Sequence, residues 1–149
     1  MANFVFNTAL ARVGYLAGLP AANDALIAIP LAATGIETDA VLRDKDTFAD
    51  LVAGATNEQT DLGRQTLTSV SVTVDDTGDQ AVIDAADITW TDTTGAPIAA
   101  LVICYDPDTT TGTDADLIPL LKYDLAMTPD GTDFTATVNG LLTITSATA

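Results

Sequence analysis

Histidine is absent from this chain of 149 residues, and cysteine occurs once, as Cys104. The lack of histidine excludes Ser-His-Asp and Cys-His nucleophilic systems, histidine general bases and histidine-ligated metals. The single cysteine excludes a disulfide within the chain and a CxxC metal site. Cys104 stands in an apolar stretch, where a thiol acts as a small buried hydrophobic group rather than a nucleophile. The sequence therefore predicts a protein that is not an enzyme and needs no cofactor.

Basic residues are also scarce: 5 Lys and Arg stand against 21 Asp and Glu, which gives a net charge of -16. Binding to nucleic acid or to anionic lipid depends on basic side chains, so we expect neither a nucleic-acid nor a membrane partner. Each basic residue either pairs with a nearby carboxylate or contacts a partner protein. These residues are Arg12, Arg43, Lys45, Arg64 and Lys122. An aspartate-rich surface is also typical of high-salt environments, where salt screens the self-repulsion.

Long apolar runs are missing as well. The longest, residues 25–33, covers about half of a bilayer span and contains Pro30. The first residues carry neither the basic nor the apolar region of a signal peptide. We therefore expect a soluble protein that is not secreted.

Most of the chain has the alternating pattern of β-strands. Residues 70–74 alternate valine with serine and threonine, which predicts a strand with one buried and one solvent-facing side. Residues 98–105 are apolar throughout, which indicates a central strand covered on both faces. Residues 26–29 form a further predicted strand, which we expect Pro30 to end.

The last third of the chain predicts two further features. Alternation over residues 121–127 indicates a strand that carries Lys122 on its solvent side. Asn139-Gly140 is the strongest hairpin signal in the chain, because a type I′ turn needs two residues with positive φ. We therefore expect residues 134–138 and 142–144 to form the two arms of a hairpin.

One helix is predicted, near residues 47–53. Thr47 and Asp50 have the spacing of a capping box, Phe48, Leu51 and Val52 form one apolar face, and Gly54 follows. The predicted fold is mainly β: an antiparallel β-sandwich or barrel with this helix and an extended N-terminal arm. We expect a single domain over residues 1–149, with an arm within 1–25 and a β-rich core over 26–149.

Asp75, Asp76 and Asp79 form a weak candidate for a metal site, and the stronger candidate is an acidic loop. Its carboxylates are Asp106, Asp108, Asp114 and Asp116. Calcium takes six to eight oxygen ligands, but an EF-hand loop that starts at Asp106 would need glycine one position before Gly112 and glutamate at Leu117. The loop is therefore predicted to be a solvated turn rather than a metal site, with calcium as the alternative.

Several residues are candidates for contact with a partner protein. Phe4 and Phe6 lie on the predicted arm, which either adds as a strand to a neighbour's sheet edge or pairs within its own domain. The full set of interface candidates is Phe4, Phe6, Arg12, Tyr15, Arg43 and Arg64.

From Leu62 onward the sequence resembles the small capsid decoration (cement) proteins of tailed viruses. The most telling part is Asp84-Ala-Ala-Asp-Ile-Thr-Trp90, which is followed by an apolar strand at residues 99–105. The other segments that carry the resemblance are Leu62-Gly-Arg-Gln-Thr-Leu67, residues 70–74, residues 117–124, Phe134 and residues 142–144. The likeness covers about the last 90 residues of the chain.

The resemblance implies a mechanical function. Such proteins bind the outside of a capsid shell, commonly as trimers at three-fold positions, and bridge neighbouring capsomers of the major capsid protein. The implied location is the outer capsid surface of a virion, after synthesis in the host cytoplasm. Alternatives are a tail-tube or head–tail joining protein, a calcium- or carbohydrate-binding β-sandwich, and a small hydrolase that would need paired carboxylates in a cleft.

Overall fold

The computed structural model describes residues 2–19 and 23–146 and is mainly β, as predicted. Its strands are β1 (Phe4–Val5), β2 (Ala25–Ala32), β3 (Gln65–Thr66), β4 (Ser71–Asp75), β5 (Gln80–Asp84), β6 (Ile88–Trp90), β7 (Ile98–Asp106), β8 (Ile118–Met127), β9 (Phe134–Ala136) and β10 (Leu142–Thr145). Its helices are α1 (Val13–Ala17), α2 (Asp39–Leu42) and α3 (Phe48–Val52), and Asn7–Ala9 forms one 3-10 turn.

The largest sheet has the strand order β1-β8-β7-β2-β3, and all its pairs are antiparallel. β7 lies between β8 and β2, and its residues from Ala100 to Tyr105 are buried. This confirms the predicted central strand, because only a strand covered on both faces can carry an uninterrupted apolar run.

β2 continues through Pro30, so the prediction that the strand ends there is wrong. The Pro30 carbonyl accepts a hydrogen bond from the Gln59 N–H at 2.9 Å, on the side of β2 that faces away from β7. Because the N–H and C=O of a strand residue point to the same side, the N–H that proline lacks would also point away from β7. The proline therefore removes no hydrogen bond between β2 and β7.

Two smaller sheets pack against the large one, with the orders β10-β5-β4 and β6-β9. The predicted hairpin at Asn139-Gly140 is wrong, because β9 pairs with β6 whereas β10 pairs with β5. Only Gly140 of these two residues has a positive φ, of 79°. The Gly140 N–H donates to the Asp84 carboxylate at 3.1 Å, and the Leu141 N–H donates to the Ile83 carbonyl at 2.7 Å. These bonds to β5 direct the chain from one small sheet into the other.

The predicted helix near residues 47–53 is confirmed as α3, and Thr47 caps it by accepting a hydrogen bond from the Asp50 N–H at 3.1 Å. The sequence did not predict α1, α2 or the 3-10 turn. Each is five residues or shorter, as α3 is, but each begins without the side-chain cap that marks α3 in the sequence.

The large sheet is covered on both faces. One face packs with Phe6 and the apolar residues of α2 and α3, and includes Ile29, Val102 and Cys104. The other face includes Leu101 and Ile103 and packs with α1 and the small sheets, which contribute Trp90 from β6. Trp90 is 2% exposed, and its indole N–H donates to the Gly63 carbonyl at 3.0 Å. This layered arrangement of antiparallel sheets is sandwich-like.

Candidate interaction surface

The predicted arm is folded back onto its own chain. β1 pairs with β8, so that Phe4 lies opposite Lys122 and Val5 opposite Leu121. Phe6 is completely buried, and its ring meets that of Phe4 at 5.1 Å in an edge-to-face arrangement. Of the two alternatives, pairing within the domain is therefore the one that the structure shows. Phe6 is corrected from an interface residue to a core residue.

Lys122 is also completely buried, which corrects its predicted position on the solvent side of β8. Its ammonium donates to the Ala2 carbonyl at 3.1 Å and to the Asp124 carboxylate, and it lies 3.2 Å from the Asp39 carboxylate. It also lies 5.2 Å from the centre of the Phe4 ring. A buried ammonium needs such partners, so Lys122 ties the N-terminal segment to β8 and α2.

Arg64 is held by carboxylates of its own chain. Its guanidinium donates to both oxygens of Glu58, at 2.8 and 2.6 Å, and to Asp114 at 2.8 Å. It also stacks over the Phe48 ring at 4.9 Å from the ring centre. The hydrogen bonds to Glu58 and Asp114 raise the pKa of Arg64 despite its partial burial. Of the two predicted roles for a basic residue, Arg64 takes local pairing.

The remaining interface candidates lie at the surface. Tyr15 is 70% exposed, and Arg12 and Arg43 are exposed as well. The Arg12 guanidinium donates to the Thr8 carbonyl at 3.3 Å, and that of Arg43 lies 4.9 Å from the centre of the Phe4 ring. Phe4 itself is half-buried between Arg43 and Lys122.

Carboxylates of the acidic loop accept hydrogen bonds from N–H and hydroxyl groups of the same loop. Asp108 accepts hydrogen bonds from the backbone N–H and hydroxyl groups of Thr110 and Thr111, which holds its pKa well below the usual range. Asp116 accepts from the N–H and hydroxyl of Thr113, which lowers its pKa. Among the residues that the structure describes, no group of three or more carboxylates could hold a metal ion.

The other two carboxylates of the loop are also engaged locally. Asp106 accepts from the Asp108 N–H at 3.0 Å, and Asp114 pairs with Arg64. All four carboxylates of the loop are therefore engaged by groups of the chain itself.

A cavity of about 290 Å³ lies between β8 and the segment that contains β9. Ile103, Phe134 and Val138 line it with apolar atoms, and Tyr123 lines it from β8. The Tyr123 hydroxyl donates to the Leu141 carbonyl, and burial raises the pKa of Tyr123 to about 12. The Tyr123 hydroxyl thus acts as a hydrogen-bond donor between β8 and Leu141.

The small sheet β10-β5-β4 carries exposed apolar side chains. Cross-strand partners share one face of a sheet. The register therefore places on one face Val72, Ile83 and Leu142 in one row, and Val74, Ala81 and Ile144 in the next. The first row extends into the core, where Ile83 is 1% exposed. The second row lies outside it, with Val74 69% and Ile144 43% exposed.

We call Val72, Val74, Ala81 and Ile144 the valine face. The prediction that alternation in residues 70–74 buries the valines is wrong, since Val72 is also 38% exposed. α1 approaches this face, and both Gly14 within α1 and Gly18 directly after it lie near the face. A Cβ at Gly18 would lie 3.7 Å from Val72, and one at Gly14 would lie 3.9 Å from Ile144. A helix of five residues with glycines at these positions leaves most of the face open.

Aspartates border the valine face. Val74, Ala81 and Ile144 form part of a shallow depression of about 340 Å³, together with Asp75, Asp76 and Asp79. The Asp75 carboxylate accepts hydrogen bonds from the N–H groups of Gly78 and Thr77, which lowers its pKa. Asp76 and Asp79 are exposed in the same turn, between β4 and β5.

Val74 and Ile144 were not among the interface candidates. Their alternation predicted a face that must be covered, but the sequence shows no helix long enough to cover it. The conflict between these two observations is the signal that points to an exposed face.

No family model, curated protein or solved structure matches this chain. No helix in residues 2–19 or 23–146 is long and apolar enough to cross a membrane.

Proposed function

We propose that this protein is a structural component of a virion that decorates and stabilises the outer surface of a tailed-virus capsid. It acts as a trimer that bridges capsomers, and its partner is the major capsid protein. Its role is mechanical and involves no catalysis, cofactor, nucleic acid or membrane.

The valine face carries this proposal. Contiguous apolar surface rimmed by polar residues is typical of protein–protein contacts. Val74 is 69% and Ile144 43% exposed on a chain with a net charge of -16. A partner that covers these side chains would remove apolar surface from water, which is favourable.

The sequence resemblance supports the class of partner. Asp84-Ala-Ala-Asp-Ile-Thr-Trp90 leads from β5 into β6, and the apolar stretch that follows is the central strand β7. These segments, which carry the resemblance to decoration proteins, therefore lie in the sheets. Three copies on one three-fold site can pool small contacts, so that a modest footprint gives firm attachment.

Co-sedimentation with shells tests the proposal. The chain is mixed with shells assembled from the major capsid protein of the same virus, and the shells are sedimented. We expect the chain to sediment in a fixed ratio, in multiples of three per three-fold site, and to remain in the supernatant without shells. Intact shells that leave all of the chain in the supernatant would contradict the proposal.

A further inference from the structure

We propose that the valine face docks on a segment of the shell that presents an apolar side chain flanked by lysine or arginine. This inference rests on the proposed function and specifies which surface makes the contact and what chemistry it recognises.

The apolar part of the contact follows from the register of the small sheet. Val74, Ala81 and Ile144 are directly opposed across three strands and point to the same side. They form one apolar row at the end of the face farthest from the core. A depression of about 340 Å³ at this row has room for an aliphatic or aromatic side chain of a partner.

The charged part of the contact follows from the rim. Asp76 and Asp79 border the depression, and within the described residues their carboxylates make no hydrogen bond or ion pair. Asp75, the third rim residue, uses its carboxylate inside the turn. Two exposed negative charges beside an apolar depression are complementary to basic groups on the partner.

A second copy of this chain fits the valine face poorly. It brings a net charge of -16 and only 5 basic residues. Of these, Arg64 and Lys122 are committed to carboxylates of their own chain. A symmetric contact of one valine face with another would also set Asp76 and Asp79 against the same residues of the neighbour. Charge therefore argues against a second copy as the occupant of the valine face.

The test compares two double variants with a matched control by co-sedimentation with the same shells. Val74→Thr with Ile144→Thr makes the face polar while keeping residues that favour strands. Asp76→Asn with Asp79→Asn removes the rim charges, and asparagine tolerates the positive φ of 49° at residue 79. The control, Thr73→Ser with Thr143→Ser, changes the opposite side of the same strands.

We expect the Val74/Ile144 variant to bind shells at least tenfold more weakly than the unaltered chain, because its apolar contact is lost. The Asp76/Asp79 variant should bind about threefold more weakly in about 0.05 M salt, with no difference in about 1 M salt. The Thr73/Thr143 control should bind like the unaltered chain.

The outcomes separate this inference from the proposed function. If the unaltered chain does not bind shells, the proposed function fails. If it binds and the Val74/Ile144 variant binds equally well, the function stands and this docking surface is wrong. If light scattering shows that the Val74/Ile144 variant no longer forms the trimer, the face joins copies of this chain and the inference is also overturned.

Discussion

Lys122 is the residue whose environment differs most from its local sequence. Alternation in β8 places it between two apolar residues, which is typical of a solvent-facing position. It is buried because Ala2, 120 residues earlier, and Asp39 on α2 cover it. No local pattern can report contacts over that separation. A lone buried ammonium would be very unfavourable, so its partners decide whether the N-terminal segment stays docked.

Replacing Lys122 with alanine should therefore destabilise the protein strongly. We expect the free energy of unfolding to fall by about 3 kcal/mol, because the change removes the ammonium that contacts Asp39 and Asp124 and opens a cavity beside Phe4. Urea unfolding followed by Trp90 fluorescence measures this. Lys45→Ala, a change at a partly exposed lysine, should cost less than about 0.5 kcal/mol. Equal losses in the two variants would contradict the role of Lys122.

The burial of Cys104 could be predicted from its neighbours in the sequence alone. The apolar run around it predicted a buried thiol, and Cys104 is completely buried in β7. Burial raises its pKa, because the thiolate would lose its hydration.

The Cys104 thiol should react with a thiol reagent only when the chain unfolds. We expect no labelling by Ellman's reagent during hours under native conditions, and one thiol per chain in urea. The labelling rate should follow the fraction unfolded across the urea transition. Rapid labelling of the native protein would show that β7 is open to solvent.

Asp108 makes the stability of the acidic loop depend on pH. Hydrogen bonds from Thr110 and Thr111 lower its pKa in the folded state. The ionised carboxylate therefore stabilises the fold above the unfolded-state pKa of about 3.9, and this contribution is lost as the pH falls through the folded-state pKa.

Asp108→Asn should consequently lower stability at pH 7 and have progressively less effect as the pH falls below about 4. Urea unfolding of both proteins across this range measures the difference. Removing the donors by Thr110→Val with Thr111→Val should reduce the same pH-dependent contribution. A difference between Asp108→Asn and the unaltered chain that does not change with pH would refute the assignment.

At the scale of elements, the sequence predicts a helix or strand correctly where the residues that determine it all lie in one short segment. The capping residue of α3 and the apolar run of β7 are such cases. The hairpin predicted at Asn139-Gly140 is wrong because hydrogen bonds to Asp84 and Ile83 set the partner of β10. These two residues lie elsewhere in the chain. The predicted burial of Val74 is wrong because alternation indicates which side of a strand is apolar, but not whether another element covers that side.

Thr47 should contribute measurably to α3 through its cap. Thr47→Ala removes the acceptor of the Asp50 N–H, and we expect a loss of about 1 kcal/mol in the free energy of unfolding. Thr60→Ala, at an exposed loop threonine, is the matched control and should change stability by less than about 0.5 kcal/mol. A Thr47 variant as stable as the control would mean that packing of Phe48 and Leu51 alone fixes the helix.

At the scale of the whole molecule, charge is the dominant feature. A net charge of -16 on 149 residues produces self-repulsion in the folded state, and few basic residues offset it. The net charge follows directly from the sequence, whereas the position of the valine face required the register of three strands.

Salt should therefore stabilise the protein. We expect the thermal unfolding midpoint to rise as NaCl increases from about 0.05 to about 1 M, because the Debye length shrinks from more than 10 Å to about 3 Å. Circular dichroism measures the midpoint, and sucrose at matched osmolality controls for general solvent effects. A midpoint that does not depend on salt would show that the carboxylates are too dispersed to repel one another.

The measurement that tests the account most directly is a cryo-electron microscopy reconstruction of shells incubated with the chain. We expect added density on the outer surface at three-fold positions, in three copies, with Val74 and Ile144 facing the major capsid protein. Density confined to the inner surface or to the tail attachment site, or a shell identical to the unmixed one, would contradict the proposed function.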